Sequence, residues 1–230
     1  MARSETVERI LDAAQQLFAE RGFTETSLRM ITARAGVNLA AVNYHFGSKE
    51  ALIQAVFVRF LGPFCQGLER ELDQRRGQDA TLEELLELLV AQAFAVARDI
   101  GSDLTVFMRL LGMAVRQNQR QLHGYLGGLF SKVLRRYLQL LQEAVPEIPP
   151  LELSWRARFM LGAATFSMAG IQALREITEA DFGVDTAPEE VMRLLIPFTA
   201  AGLRADSGLT DAALIAARPR DGGKANHPAL

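Results

Sequence analysis

The residues between Glu25 and Glu50 carry chemistry that is suited to nucleic acid. No acidic residue lies between these two glutamates, whereas hydroxyl, amide, imidazole and cationic groups are frequent there. An asparagine amide can pair with adenine through two hydrogen bonds in the major groove, and hydroxyls and cations hold phosphates. We expect Asn43 to contact a base, with the remaining contacts made by Thr26, Ser27, Asn38, Tyr44, His45 and Lys49. A solvated basic face would have the same composition, and Tyr44 also fits packing at the domain edge.

The spacing of the surrounding residues predicts a helix, a tight turn and a second helix in this segment. Leu28 and Ile31 recur at helical spacing, and Gly36 tolerates the positive φ that ends a helix. Asn38 is a suitable N-cap for the second helix, and Ser48 for the helix that follows it. Two helices joined in this way can place the second one in the major groove of DNA.

Three runs in this part of the chain carry a family resemblance: TSLRMI from Thr26, AGVN from Ala35 and YHFGSKEAL from Tyr44. Together they resemble the N-terminal domain of the TetR, or tetracycline-repressor, family over roughly residues 1–52. Ala41 and Asn43 stand where that family often has threonine and tyrosine. The resemblance implies a DNA-binding transcription factor, most often a repressor, that binds operator DNA as a homodimer and responds to a small molecule.

The rest of the chain shows helical periodicity and no strand signal, so an all-α fold of about nine helices is predicted. Gly22 should end the first helix, and Thr81 with Glu84 forms a capping-box pattern. Single helices are predicted over residues 48–75, with a kink at Gly62–Pro63, and over residues 151–178. We expect a DNA-binding domain at 1–52, a ligand-binding and dimerisation bundle at 53–205, and a disordered tail at 206–230.

Composition indicates a cytoplasmic protein without a membrane-spanning segment. Apolar residues make up 49% of the 230 residues and charged residues 23%, with a net charge of −2. Charged side chains interrupt the N-terminus before a signal sequence could form, and the longest charge-free run, residues 159–174, is short for a membrane span. The single cysteine, Cys65, fits a buried thiol in a reducing compartment.

No pattern in the sequence indicates an enzyme, a cofactor or a metal site. A phosphate-binding glycine loop, a zinc-binding HExxH motif and a nucleophile elbow are all missing from the sequence. His45, His123 and His227 are far apart along the chain. The competing non-enzyme interpretation is a helical binding protein without a DNA role, against which the acid-free segment argues.

Large flexible apolar residues in the middle of the chain suggest a binding site for an apolar ligand, although most of them must form the bundle core. The tract from Ala35 to Phe57, followed by FLGPF, is similar to the branch of the TetR family that responds to fatty acids in pseudomonads. That resemblance implies a long-chain fatty acid as the effector, with an acyl-CoA or another hydrophobic molecule as the alternative. The expected ligand residues are Phe60, Phe64, Phe94, Phe107, Met108, Arg109, Met113, Arg116 and Phe130.

The last two long helices contain the residues expected at a dimer interface. Small residues in the first of them would let another helix backbone approach closely, either within the chain or across a two-fold axis. The family resemblance favours the second arrangement, a four-helix interface between two copies. The expected interface residues are Gly162, Ala163, Ser167, Gly170, Leu195 and Phe198.

Overall fold

The computed structural model describes residues 2–75, 79–117 and 119–206. In these ranges all the regular secondary structure is helical, as predicted. The ten helices are α1 (Ala2–Glu25), α2 (Leu28–Ala35), α3 (Leu39–Phe46), α4 (Lys49–Gln74), α5 (Leu82–Asp99), α6 (Leu104–Arg116), α7 (Arg120–Ala144), α8 (Pro150–Ala169), α9 (Ile171–Phe182) and α10 (Pro188–Arg204). Apart from Asp206, the expected tail lies outside the described residues.

One helix more than expected is present because the predicted helix over residues 151–178 is two helices. Gly170, with φ −104° and ψ 13°, departs from helical geometry and separates α8 from α9. Its amide still donates to the carbonyl of Phe166, so the chain changes direction over a single residue. At the other end, Pro150 begins α8 in the first helical turn, where its missing amide hydrogen is of no consequence.

The predicted helix boundaries near the N-terminus are confirmed. Gly22 breaks α1 with a φ of 85°, and a short helical turn continues to Glu25. Gly36 ends α2 in the left-handed region with φ 62°. The Thr81 capping box is formed, with the Thr81 amide donating to the Glu84 carboxylate at 2.8 Å.

Two hydrophobic clusters form the core, and α4 runs through both. Its first half, with Leu52 and Phe57, packs with α1, α6 and the C-terminal part of α8. Its second half, with Leu68 and Leu72, packs with the N-terminal part of α5 and with α7. The first cluster also contains Val42 of α3, so apolar packing is continuous from the N-terminal helices into the bundle.

Helix α4 is continuous through Pro63, where the missing amide hydrogen leaves the Arg59 carbonyl without its usual helical donor. Among the described helices, α4 is the one long and apolar enough to cross a membrane. Nine of its residues, including Leu52, Phe60 and Leu68, are buried against other helices. Core packing therefore accounts for its composition without a membrane.

Candidate functional site

Hydrogen bonds hold the turn between α2 and α3 and the helix ends around it, and two of them, the Asn38 and Ser48 caps, were predicted from the sequence. The Ser27 hydroxyl accepts from the Met30 amide at 3.2 Å at the start of α2. The Asn38 side-chain oxygen accepts from the Ala41 amide at 2.8 Å, and the Ser48 hydroxyl from the Ala51 amide at 3.0 Å. Arg9 of α1 donates to the carbonyls of Ala35 and Gly36 at the end of α2. These bonds fix the direction in which α3 leaves the turn.

Helix α3 turns one side inward and presents the other to solvent. Val42 is its one buried residue, and Phe46 packs partly against the core. Asn43 is exposed about 100° around the helix from Val42, and Tyr44, on the side opposite Val42, is 70% exposed. The imidazole of His45 lies edge-on to the Tyr44 ring, with 5.1 Å between ring centroids. An exposed helix bearing an amide, a phenol and an imidazole has the shape and the hydrogen-bonding groups needed to enter a DNA groove.

The electrostatics of this surface differ in one respect from the sequence-based expectation. Arg34 is paired with Glu20 of α1 at 2.7 Å, and this hydrogen bond raises the pKa of Arg34 and lowers that of Glu20. Its charge is therefore partly compensated. Arg29 is exposed on α2, and Lys49 is half-buried with its ammonium donating to the Thr24 carbonyl at 3.3 Å. Arg29 and Lys49 remain as the main cations beside α3.

Thr26 is not the phosphate contact that the sequence suggested. Its side chain is fully buried, and the hydroxyl donates to the carbonyls of Gly22 at 2.8 Å and Leu17 at 3.1 Å. It ties the end of α1 to the start of α2, and in this position the hydroxyl cannot reach a phosphate. Ser27, next to it, is exposed and remains available.

Helix α1, against which α2 packs, is attached to the bundle at more than one point. The buried Gln15 of α1 donates to the Ser102 hydroxyl at 2.5 Å, immediately before α6. Arg59 of α4 pairs with Glu8 at 2.9 Å and with Asp12 at 2.6 Å on α1. These contacts join α1 to α4 and to the segment immediately before α6.

The expected ligand residues are divided among three places. Phe60 stacks in the core with both Phe64 and Phe107, and the Phe60 and Phe107 ring centroids are 3.9 Å apart. Met108 is buried nearby, whereas Met113 and Phe130 pack partly buried against the same cluster. Arg116 is exposed. Arg109 is half-buried and donates to the Ala169 carbonyl at 3.4 Å.

Phe94, the remaining expected ligand residue, lines a groove between α5 and α10 that the sequence did not reveal. The groove has a volume of about 830 Å³. Its floor is apolar and includes Val90, Phe94 and Ile196. Arg98 and Arg193 line it along with glutamates, and the ion pair between Arg204 and Glu83 closes one end. Six of its thirteen lining residues are charged, and the apolar ones offer contacts to a hydrocarbon chain.

Helices α8 and α10 expose a large apolar surface, which we call the α8–α10 face. It consists of Trp155, Phe159, Phe166, Leu194 and Phe198, all of them exposed. The three α8 aromatic residues lie within a narrow stripe of about 40° on a helix of 3.6 residues per turn. Gly162 lies on the same stripe with open space where a side chain would be. An apolar surface of this size typically marks a protein interface.

Of the expected dimer residues, Gly162 and Phe198 lie on this face. Ala163, Ser167 and Leu195 are half-buried beside it, and Leu195 packs against the core. Gly170 lies at the break between α8 and α9. Close approach within the chain occurs elsewhere on α8, where a side chain at Gly112 of α6 would meet the Thr165 methyl at 3.0 Å.

Two family models match the chain. The model described as "Bacterial regulatory proteins, tetR family" matches residues 10–56, and "Tetracyclin repressor-like, C-terminal domain" matches residues 87–202. The second match alone covers half of the chain and includes the α8–α10 face. The chain belongs to the TetR family. The first match contains α2, the turn and α3, so these two helices belong to the N-terminal domain of the family.

Curated relatives share low sequence identity with this chain, or match only a short part of it. The "Fatty acid metabolism regulator protein" of Bacillus subtilis is 25% identical over 138 residues, which is 60% of this chain and 65% of that protein. An HTH-type transcriptional repressor of Mycobacterium tuberculosis is 52% identical over 54 residues, 24% of this chain and 29% of its own length. The chain thus spans less than two thirds of the curated relatives it matches.

Solved structures of TetR-type regulators share the fold. The transcriptional regulator FadR from Bacillus subtilis, crystallised in complex with stearoyl-CoA, superposes with a TM-score of 0.53 at 19% identity. The superposition covers 84% of this chain and 97% of that one. The agreement extends over the N-terminal domain and the bundle together.

Proposed function

We propose that this TetR-family protein is a DNA-binding transcriptional repressor that acts from the cytoplasm as a homodimer. The observation that carries the proposal is the exposed side of α3. It presents Asn43 and Tyr44 on a helix whose N-terminus is capped by the Asn38 side chain, in a segment without acidic residues. A helical binding protein without a DNA role would have no need of an amide-bearing, acid-free helix held in this way.

Asn43 and Lys49 have different roles in this proposal. Asn43 reads an adenine in the major groove, whereas Lys49, with Ser27, Tyr44 and His45, holds phosphates. Replacing Asn43 with alanine should cost about 1–3 kcal/mol of preference for operator over random DNA. Lys49→Ala should weaken binding to both kinds of DNA equally and reduce the salt dependence by about one phosphate contact.

Fluorescence anisotropy with operator and random duplexes at several salt concentrations separates these effects. Asn38→Ala is the structural control, because Asn38 caps α3 and its loss should also lower thermal stability. Full discrimination by the Asn43→Ala protein would show that Asn43 does not read a base.

The effector in our proposal is a long-chain fatty acid. Two similar proteins are associated with acyl compounds: one is a fatty acid metabolism regulator, and the other is a FadR crystallised with stearoyl-CoA. The chain offers apolar surroundings for a hydrocarbon in two places, the aromatic cluster of Phe60, Phe64 and Phe107 and the groove lined by Phe94. The FadR complex makes the acyl-CoA thioester the second candidate.

The continuous core suggests how such a ligand would lower DNA affinity. A molecule inserted beside Phe60 and Phe107 would displace α4 or α6, and Arg59 and Gln15 tie these helices to α1. DNA affinity then falls only as far as the ligand prefers the displaced arrangement over the DNA-binding one. A tenfold release corresponds to about 1.4 kcal/mol of this preference.

Titration of both acyl compounds against a protein–operator complex tests the effector. Release by oleate at micromolar concentration, with no effect of a short-chain acid, is the expected result. Release by oleoyl-CoA alone would identify the thioester, and not the free acid, as the effector. Release by neither compound would contradict the acyl effector but not the proposed DNA binding.

The homodimer in this proposal is formed through the α8–α10 face. Phe198→Arg places a charge in the middle of this face and should give monomers at micromolar concentration that bind operator poorly. Val115→Arg is the matched control, because Val115 is exposed on α6, a helix that contributes no residue to the face. A dimer that survives Phe198→Arg in sedimentation equilibrium would contradict this interface.

A further inference from the structure

The C-terminal end of α6 lies directly against the end of α1. Gly22 is buried there with a φ of 85°, and a side chain at this position would meet the Nε2 atom of Gln117 at 2.9 Å. The Gly22 carbonyl also accepts the hydrogen bond from the Thr26 hydroxyl at 2.8 Å, and Ser27 follows as the N-cap of α2. Direct contacts therefore connect the end of α6 with Ser27, one of the residues proposed to hold phosphates.

Three exposed arginines come from the chain segments that meet here. Arg21 is the last residue before the break in α1, Arg116 is the last residue of α6, and Arg120 is the first residue of α7. The Gln119 amide donates to the Ala114 carbonyl at 3.3 Å, so the chain turns tightly between α6 and α7. None of the three arginines forms an ion pair with a residue that the structure describes. We call them the arginine cluster.

Acidic residues are scarce around the arginine cluster. No aspartate or glutamate lies between Asp103 and Glu143, which makes this acid-free segment longer than the one that contains α2 and α3. On α1 the acidic residues nearest to the cluster along the chain are Glu20, which is paired with Arg34, and Glu25. The cluster and Arg34 supply four positive charges against two negative ones, which leaves a net charge of +2 beside the start of α2.

We propose that the arginine cluster is a second phosphate-binding surface, which holds the DNA backbone beside the groove that α3 enters. Arginine binds phosphate oxygens through two parallel hydrogen bonds. Successive phosphates on a strand are about 3.4 Å apart along the DNA axis, and charges interact over a Debye length of about 10 Å at 0.1 M salt. The cluster therefore meets the phosphates next to the one that Ser27 holds. This inference rests on the DNA binding proposed above.

Contacts with phosphates carry no sequence information, so the cluster should add affinity for DNA of any sequence. In this respect it differs from Asn43, whose contribution depends on the base that it meets. It also gives Arg116 a different role from the ligand contact that the sequence suggested. The two roles can be separated, because a phosphate contact changes the salt dependence of DNA binding and a ligand contact changes the response to the effector.

The other cations of the acid-free segment supply a matched control. Lys132 pairs with Glu69 at 3.7 Å and Arg136 with Asp73 at 2.7 Å. These pairs align this part of α7 with the second half of α4, which is remote from the start of α4 at the DNA-binding domain. Arg135 is exposed and, within the described part of the chain, has no ion pair. It lies fifteen residues, or about 22 Å, beyond the first residue of α7.

The double substitution R116Q/R120Q tests the arginine cluster in the full-length protein. Both side chains are exposed, so thermal stability should equal that of the wild type. Fluorescence anisotropy measures binding to the DNA upstream of this protein's own coding sequence and to a random duplex, each at several salt concentrations. The variant should bind both duplexes at least about tenfold more weakly at low salt, with their affinity ratio unchanged. The slope of log K against log salt should fall by about 2 per protomer, whereas R135Q should keep the wild-type affinity and slope.

The possible outcomes separate the arginine cluster from the DNA role of α3. A wild-type slope and affinity for R116Q/R120Q would overturn the cluster and leave the DNA role of α3 in place. An equal loss of affinity in R135Q would mean that total charge and not position governs binding, which also contradicts the cluster. Unchanged DNA binding with altered release by oleate would assign Arg116 to the ligand instead. If the wild type binds neither duplex, the proposed function itself is wrong, and the cluster with it.

Discussion

Replacing Thr26 with valine separates a structural role from a DNA contact at this position. The two side chains have nearly the same shape, so the change removes the hydroxyl and little else. That hydroxyl is fully buried and donates to the carbonyls of Gly22 at 2.8 Å and Leu17 at 3.1 Å. Loss of one buried hydrogen-bond donor leaves at least one carbonyl without its partner, which costs about 1–3 kcal/mol. We expect Thr26→Val to lower the free energy of unfolding by about 2 kcal/mol.

Urea denaturation at a fixed protein concentration measures this change, since dimer formation makes stability depend on concentration. Thr24→Val is the matched control, because Thr24 is exposed two residues away and its hydroxyl group should contribute less than about 0.5 kcal/mol. Operator affinity of the folded Thr26→Val protein should equal that of the wild type. Unchanged stability together with weaker DNA binding would refute the structural role of the Thr26 hydroxyl and would indicate that it contacts DNA.

Further predictions concern buried polar groups. Burial raises the pKa of the Cys65 thiol to about 11, so this thiol should resist iodoacetamide at pH 8 until the protein unfolds. The unfolded thiol loses its proton near pH 8.5, so stability should fall from about pH 8.5 to 11, and Cys65→Ala should abolish that part of the pH dependence. Tyr137→Phe removes a buried hydrogen bond to the Leu85 carbonyl at 2.8 Å and should cost about 1–2 kcal/mol in urea denaturation. Gln15→Ala breaks the bond to Ser102 and should weaken coupling, so that more oleate is needed for the same release of operator DNA.

Local signals account for the part of the fold that could be predicted from the sequence. Gly36 and Asn38 act on the backbone within a few residues, and both behave as expected. The same holds for the caps at Ser48 and Thr81. The exposed side of α3 followed from the periodicity that turns Val42 inward. These features depend on a residue and its immediate neighbours, which the sequence contains.

Features that depend on distant parts of the chain could not be predicted. Thr26 is buried because α1 and α2 meet over it, and nothing in its neighbourhood along the chain signals this. The small residues around Gly170 are equally compatible with a close contact between two helices and with a break in one helix, and the structure has the break. Phe94 was expected at a ligand site with the other apolar residues of the bundle, but it lies beside α10 and lines a separate groove. The Arg34–Glu20 pair likewise joins residues from different helices.

Footprinting of the DNA upstream of this protein's own coding sequence tests the proposal of a dimeric DNA-binding repressor most directly. A dimer presenting two α3 helices should protect two related half-sites whose centres are one helical turn, about 34 Å, or a multiple of it apart. The Asn43→Ala protein, folded and dimeric, should lose this pattern at concentrations where the wild type is saturated. Absence of any protected site for folded wild-type dimer, or an identical footprint from the Asn43→Ala protein, would contradict the account of α3 as the DNA-reading helix.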